Sequence, residues 1–161
     1  MTEQAFSLAT LHNYWENYQQ RLIATITPLS PEQLALPVAS HHWPIGELLG
    51  HMIGARFWWF HEWIGEEESP DLVDWGNEQD LREAASLVHA FEMTWDMISP
   101  ALTRSTAADL EHLVPPPAAV AEEESAHTRE WIVWHVLEHE IHHGGELSVA
   151  LGGYGLQGIY M

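Results

Sequence analysis

Apolar residues recur along most of the chain every three or four positions, which is the spacing of one face of an α-helix. This pattern predicts four long helices, joined by segments rich in proline, glycine and acidic residues. No segment alternates apolar and polar residues for long enough to predict a β-strand. The four long helices are expected at residues 6–27, 44–64, 77–102 and 128–153.

Residues with known roles at helix ends set these boundaries. Ser7 and Thr128 are expected N-caps, because a side-chain hydroxyl can accept a hydrogen bond from the first turn. Pro28 and Gly65 are expected to end the first and second helices. Pro100 lacks a backbone N–H and is expected to kink the third helix or to end it early.

The connections are expected to be loops, with short helical turns at residues 30–33 and 106–113. Residues 114–127 contain three consecutive prolines and three consecutive glutamates, which predict a mobile linker. Four long helices with polar connections predict an all-α fold, a four-helix bundle in one domain over residues 1–161. The long connections permit a crossover topology as well as a simple up-and-down arrangement.

Composition excludes several classes of function. The chain has no cysteine, which excludes disulfides, thiolate metal ligands and a cysteine nucleophile. It also has no lysine, so Schiff-base chemistry is excluded. The formal net charge of −19 repels phosphate, which argues against nucleic-acid and anionic-membrane partners. Neither a signal-peptide pattern nor a membrane-length apolar run is found, which predicts a cytoplasmic location.

The candidate chemistry lies in the last helix, where four of the twelve histidines fall between Trp131 and Glu146. His139 and His143 are one turn apart, and both are expected on the apolar face of this helix. Burying an imidazole without a partner costs roughly 1–3 kcal/mol, and a shared metal ion would satisfy both rings. The residues of the expected stripe are Ile132, Val136, His139, His143, Leu147 and Ala150.

His51, in the second and most apolar helix, is the expected third ligand. A zinc or nickel site needs at least three protein ligands, and a lone imidazole in an apolar helix would be poorly satisfied. Glu47, one turn earlier, is expected to orient the far ring nitrogen of His51. A site of His51, His139 and His143 would keep one or more positions open, as catalytic sites do.

The remaining histidines are expected to contribute less. His135 is interpreted either as a residue that supports the metal ligands or as a pocket-lining residue, and His142 as a residue of the solvated face. His41 and His42 precede the second helix and could border the mouth of a pocket. No role is assigned to His12, His89, His112 and His127.

Two other metal sites are weaker alternatives. His139 to His143 match the H-E-x-x-H motif of zinc proteases, in which Glu140 would be the general base. The longer form of that motif needs a histidine where Val149 stands, and Glu140 is more simply a partner of a neighbouring helix. A di-iron carboxylate site would use Glu140 with His143 as one Glu-x-x-His unit, but a second such unit is missing.

The chain resembles the DinB (YfiT-like) superfamily of small bacterial metal-binding bundles over most of its length. The resemblance is carried by residues 45–51 with the aromatic cluster that follows, by residues 135–147 and by residues 151–155. It implies an up-down-down-up bundle and a divalent metal ion, zinc or nickel, on His51, His139 and His143. It also implies a homodimer.

The chain departs from the family pattern in the last helix. The family often has His-His-Arg-Gly-Gln where this chain has His142-His143-Gly144-Gly145-Glu146. The arginine and the glutamine are therefore absent, and no role of these two residues in holding an anionic ligand is expected here. The glycine pair is also expected to permit a bend, at roughly 1 kcal/mol per glycine relative to alanine.

The resemblance implies metal-dependent chemistry on a small-molecule substrate, either transfer of a low-molecular-weight thiol or hydrolysis. Arg56 and Arg129 are the only arginines expected near the site, where they could hold an anionic thiol. Tryptophans close to His51 could line an apolar pocket. The alternative is a non-catalytic metal-binding or stress-response protein, which predicts a closed coordination shell or no pocket.

Overall fold

The computed structural model describes residues 8–39, 43–67, 72 and 75–160, and over these residues the chain is predominantly helical. Its six α-helices are α1 (Leu8–Ile26), α2 (Pro31–Leu34), α3 (Ile45–Phe57), α4 (Ala84–Arg104), α5 (Ala107–Glu111) and α6 (Arg129–Gly153). A π-helical segment (Trp58–Trp63) continues α3, and a 3₁₀ turn (Asp80–Arg82) precedes α4. The two short strands are β1 (Leu113–Val114) and β2 (His127–Thr128).

The long helices α1, α3, α4 and α6 run up-down-down-up. Hydrogen bonds join His12 to Ser99 and Gln19 to Phe91, so α1 and α4 are antiparallel. The helices α1 and α6 are parallel, because Trp15 bonds to Glu140 and Tyr18, further along α1, lies against Gly144. The helices α3 and α6 are antiparallel, because ring contacts join His51 to His143 and Trp59, which follows α3, to His135. The predicted fold class is confirmed.

The capping residues account for several of these boundaries, as expected. Ser30 and Gln33 form a capping box at the start of α2, and the hydroxyl of Thr128 accepts a hydrogen bond from the backbone N–H of Trp131. Gly65 ends the second long helical stretch in the left-handed region, with φ +83°. Ser7, His41 and His42 lie outside the described residues, so the expectations about them are not tested.

Two details of the secondary structure differ from expectation. Of the two effects expected of Pro100, early termination does not occur, because α4 continues to Arg104; a proline forfeits one backbone hydrogen bond, which packing can offset. Strands were not expected, but β1 and β2 pair antiparallel and join the two ends of the 114–127 segment. Strands of two residues are too short to show an alternating pattern.

A buried ion pair crosses the centre of the bundle. The side chains of Arg56 on α3 and Glu140 on α6 are both fully buried and form a bidentate pair. Arg56 also donates to the Gln19 side chain (2.6 Å), to the Phe91 carbonyl (3.1 Å) and to the Thr94 hydroxyl (3.3 Å). All five guanidinium donors therefore have acceptors, and the acceptors come from α1, α4 and α6.

This polar network lies between two apolar clusters. On each long helix, the cluster residues on one side of the network belong to one cluster and those on the other side to the second. The first cluster includes Leu22, Ile26, Leu48, Leu49, Leu87, Leu147 and Leu151. The second includes Trp15, Phe60, Trp95, Ile98, Val133 and Val136.

Gly144 is required by close packing between α1 and α6. A Cβ atom there would lie 1.8 Å from the hydroxyl oxygen of Tyr18, which donates a hydrogen bond to the Glu140 carbonyl (2.9 Å). A Cβ atom at the neighbouring Gly145 would meet nothing within 4 Å. The helix α6 runs unbroken through both glycines. The arginine of the family pattern is thus replaced where this chain brings Tyr18 against the helix.

We therefore expect opposite effects from two adjacent substitutions. Gly144→Ala should lower the free energy of unfolding by about 1–3 kcal/mol, because the methyl group displaces Tyr18. Gly145→Ala should raise it by about 0.5–1 kcal/mol, because it removes a helix-interior glycine without a clash. Urea denaturation of the two variants measures both changes. Equal stability of the two variants would contradict the packing argument.

The homodimer implied by the resemblance stays a prediction. Trp134, Ile141 and Val149 lie on the exposed side of α6, with 57%, 51% and 78% of their surface accessible. An exposed apolar face of this kind is a candidate dimer interface.

Candidate metal centre

Three imidazoles from two antiparallel helices meet at one place. His51 comes from α3, and His139 and His143 come from successive turns of α6. One ring nitrogen from each residue lies within 4.8 Å of the other two. The Nε2 atoms of His51 and His139 are 2.9 Å apart, and the ring centroids of His51 and His143 are 4.9 Å apart. The structure thus brings together the three histidines that the sequence singled out.

The trio lies at the edge of the bundle and not in its interior, which corrects the expectation of a buried stripe. His51 is exposed, and His139 and His143 are half-buried. The inner face of α6 is occupied instead by Glu140 and Gly144, which are buried. Consecutive residues of a helix point about 100° apart. Because Glu140 and Gly144 face the core, His139 and His143, which precede them, lie beside it.

The surroundings favour neutral imidazoles. Burial, followed by the neighbouring imidazoles of His143, His51, His135 and His142, lowers the pKa of His139 to about 4. Burial also lowers the pKa of His51 below its usual value, with a further lowering by His143. Neutral imidazole is the form that binds a metal ion, and so these shifts reduce competition from protons near neutral pH.

The donor set fits a divalent cation. Two Nε2 atoms 2.9 Å apart repel through their lone pairs unless a proton or a cation lies between them. Nitrogens bound to one tetrahedral zinc ion are about 3.3 Å apart, so a small separation of the rings would suffice. The Nδ1 atom of His139 is buried and has no hydrogen-bond partner among the described residues. The second ring nitrogen of His139 therefore lacks, among the described residues, the acceptor that usually orients a metal-ligating histidine.

Glu146 orients one of the three imidazoles, a contact that was not expected from the sequence. Its carboxylate lies 2.7 Å from the Nδ1 atom of His143, which leaves Nε2 of that ring for a metal ion. Its other oxygen lies 3.4 Å from Nε2 of His142. The i, i+3 spacing of His143 and Glu146 was the signal that could have revealed this pair. By contrast, no hydrogen bond joins Glu47 to His51 among the described residues, so the orienting role expected of Glu47 is not observed.

A row of rings extends from the trio along α6. Trp131 stacks on His127 with ring centroids 3.8 Å apart, and on His135 at 4.7 Å. Trp59 of the π-helical segment packs edge-on against His135 at 5.0 Å. His135 therefore belongs to an aromatic surface beside the trio, and its expected pocket-lining role stays a prediction. His127, to which no role was assigned, is also part of this surface and follows the same four-residue spacing.

Glu140 cannot act as the general base of an H-E-x-x-H protease. Its carboxylate is fully buried, pairs with Arg56 and accepts a hydrogen bond from Trp15 Nε1 (3.0 Å). The protease alternative is therefore wrong, and the expectation of an interhelical partner is confirmed. Arg56 is equally occupied in this pair, so it cannot hold an anionic ligand at the trio.

None of the helices in the described part of the chain is long and apolar enough to cross a membrane. This finding agrees with the absence of a membrane-length apolar run in the sequence.

Comparisons with known proteins agree with this architecture. The sequence profile of the DinB family matches residues 1–160. A crystal structure of a DinB-like protein from Bacillus cereus ATCC 10987 is similar in fold, with a TM-score of 0.72 and 16% sequence identity. The similarity covers 92% of this chain and 93% of that chain. No match was found among curated proteins.

Proposed function

The chain belongs to the DinB family, and on that premise we propose that it binds a divalent cation, zinc or nickel, through His51, His139 and His143. We further propose that it uses this cation in a reaction on a small molecule in the cytoplasm. The observation that carries the proposal is the convergence of three imidazole nitrogens within 4.8 Å from two helices. Three nitrogen ligands are the usual protein contribution to a catalytic zinc site.

An accessible site supports an enzyme over a closed metal-binding protein. His51 is exposed and lines a cavity of about 330 Å³ together with Trp43, Glu47 and Trp75. A small molecule could therefore reach His51, the member of the trio that lines this cavity. A divalent cation bound there would lower the pKa of a thiol or of water and so supply a nucleophile near neutral pH.

The charges around the trio favour an uncharged thiol, or water, over an anionic thiol. Glu146 lies directly against His143, and Glu47 lines the cavity beside His51. Arg56 is committed to Glu140, and Arg129 precedes His139 by ten residues, or about 15 Å along the helix axis. Neither of the arginines that were expected to assist an anionic thiol is thus placed to do so.

We expect cobalt-loaded protein to reveal an open coordination position. Adding 2-mercaptoethanol to the Co²⁺-loaded protein should produce a thiolate-to-cobalt charge-transfer band that saturates with thiol concentration. Mercaptosuccinate, which carries two carboxylates, should bind at least about tenfold more weakly because of Glu47 and Glu146. Ultraviolet–visible titration measures both affinities.

The alternative function, a non-catalytic metal-binding protein, makes a different prediction for the same titration. Bound cobalt whose absorption spectrum does not change on adding a thiol or any other small ligand indicates a closed coordination shell. That result would reject the enzyme proposal. A Glu146→Gln variant is the matched test of the charge argument. This variant should reduce the difference in affinity between 2-mercaptoethanol and mercaptosuccinate while keeping cobalt bound.

A further inference from the structure

A cleft beside His51 combines aromatic walls with negative charge. The cavity of about 330 Å³ next to His51 adjoins a second one of about 520 Å³, and both are lined by Gly50, Trp75 and Gly76. The second cavity extends the cleft to Phe57 and Glu62. The two cavities together could hold a molecule larger than a thiol or a water molecule.

One end of this cleft touches the candidate metal centre through His51, whereas His139 and His143 are not among the residues that line it. The ring of His51 lines the cleft, and its Nε2 atom faces His139. The ring of Trp43 lies against His51 with centroids 5.0 Å apart. A ligand lying between Trp43 and Trp75 would therefore lie against His51, one of the three imidazoles.

The fixed charges of the cleft are negative. Glu47 and Glu62 line it, and none of the five arginines does so among the described residues. Three arginines are already paired elsewhere, Arg56 with Glu140, Arg82 with Glu78 and Arg104 with Glu66. The chain has no lysine, and residues 66–80, which lead to Trp75 and α4, contain seven acidic residues and no arginine. An anionic ligand would thus meet repulsion without compensation.

The aromatic walls are held in place. The indole N–H of Trp75 donates to the hydroxyl of Ser86 (3.0 Å), which donates in turn to Asp80 (2.9 Å). Trp43 is about half exposed, with 49% of its surface accessible, so one face of its ring is available to a ligand. Indole faces carry negative electrostatic potential and attract organic cations.

We propose that this cleft binds a small organic cation, a substituted amine or quaternary ammonium group attached to an apolar body. The ammonium group is recognised by Trp43, Trp75 and the Glu47 carboxylate beside His51, and the apolar body extends along the cleft towards Phe57 and Glu62. The assignment of this molecule as a substrate rests on the proposed function, whereas its binding does not require the metal ion. The cleft thereby specifies a substrate class for the site.

The test compares three probes of similar size on metal-free protein: benzyltrimethylammonium, benzyl alcohol and benzoate. Calorimetric titration should show that the cation binds at least about tenfold more tightly than the alcohol, and that benzoate binds most weakly. Glu47→Gln and Trp43→Leu should each weaken cation binding by about 3- to 10-fold. Glu92→Gln, an exposed change on α4 outside the cleft, should leave it unchanged.

Equal affinity for the cation and the alcohol, or equal behaviour of the Glu47 and Glu92 variants, would overturn the proposal. The proposed function is tested separately, by measuring whether the unmodified protein retains a metal ion. Cation binding without metal retention would leave the cleft assignment standing and reject the metal-dependent reaction. Metal retention without preference for the cation would reject only the cleft assignment.

Discussion

Replacing His51 with alanine is expected to reduce bound metal from about one ion per chain to near zero after desalting. His139 and His143 would remain as two ligands on one helix, and two nitrogens hold zinc or nickel far more weakly than three. Even the loss of a residue that only orients a ligand costs 10- to 100-fold in metal affinity, so the loss of a ligand should exceed about 100-fold. Mass-spectrometric metal analysis and competition with a chromophoric chelator measure the change.

A matched control distinguishes the loss of a ligand from a general loss of histidine. His89 is exposed on α4, away from the trio, and His89→Ala should retain the metal ion. Circular dichroism should show native helix content for both variants, because both side chains are exposed. Unchanged metal content in the His51 variant would rule out the three-histidine centre.

Replacing Arg56 with methionine is expected to cost about 3–5 kcal/mol of folding free energy, the usual effect of leaving a buried charge without its partner. The carboxylate of Glu140 would remain fully buried, with Trp15 as its one remaining side-chain donor among the described contacts. Domains are typically stable by only about 5–15 kcal/mol, so the variant should be marginal. The midpoint of thermal unfolding should fall by about 10 °C or more.

Two further variants identify the cause of this loss. Arg82→Met removes an exposed arginine that pairs with Glu78, and should change stability by less than about 1 kcal/mol. The double variant Arg56→Met, Glu140→Met removes both buried charges and should recover part of the loss. Recovery should be incomplete, because the side-chain oxygens of Gln19 and Thr94 also lose the hydrogen bonds that Arg56 donates to them. A single Arg56 variant as stable as the parent protein would contradict the role of the ion pair.

The apolar spacing along the chain was sufficient to predict the four long helices and the three histidines that converge. Capping at Ser30 and Thr128 and termination at Gly65 were also predictable, because each depends on a local hydrogen bond or backbone angle. The pairing of β1 with β2 was not predictable, since two residues carry no period.

The wrong expectation that His139 and His143 are buried has its physical origin in the direction of side chains around a helix. His139 and Glu140 are neighbours in sequence but point about 100° apart, and the sequence pattern favoured the histidine as the inward-facing residue. The structure places the Glu140 carboxylate inside, because Arg56 from α3 and Trp15 from α1 form the ion pair and the hydrogen bond that offset the cost of burying it. Partners from other helices are not visible in the pattern of a single helix.

The sequence by itself determined the fold class, the helix order and the residue types of the centre, because helix period and ligand chemistry are local properties. Only the tertiary structure decided that the centre lies at the surface, that Arg56 is withdrawn from it and that a negatively charged aromatic cleft adjoins it. Each of these depends on which side chains α1, α3, α4 and α6 bring against one another. Long-range packing therefore determines which small molecules can reach the three imidazoles.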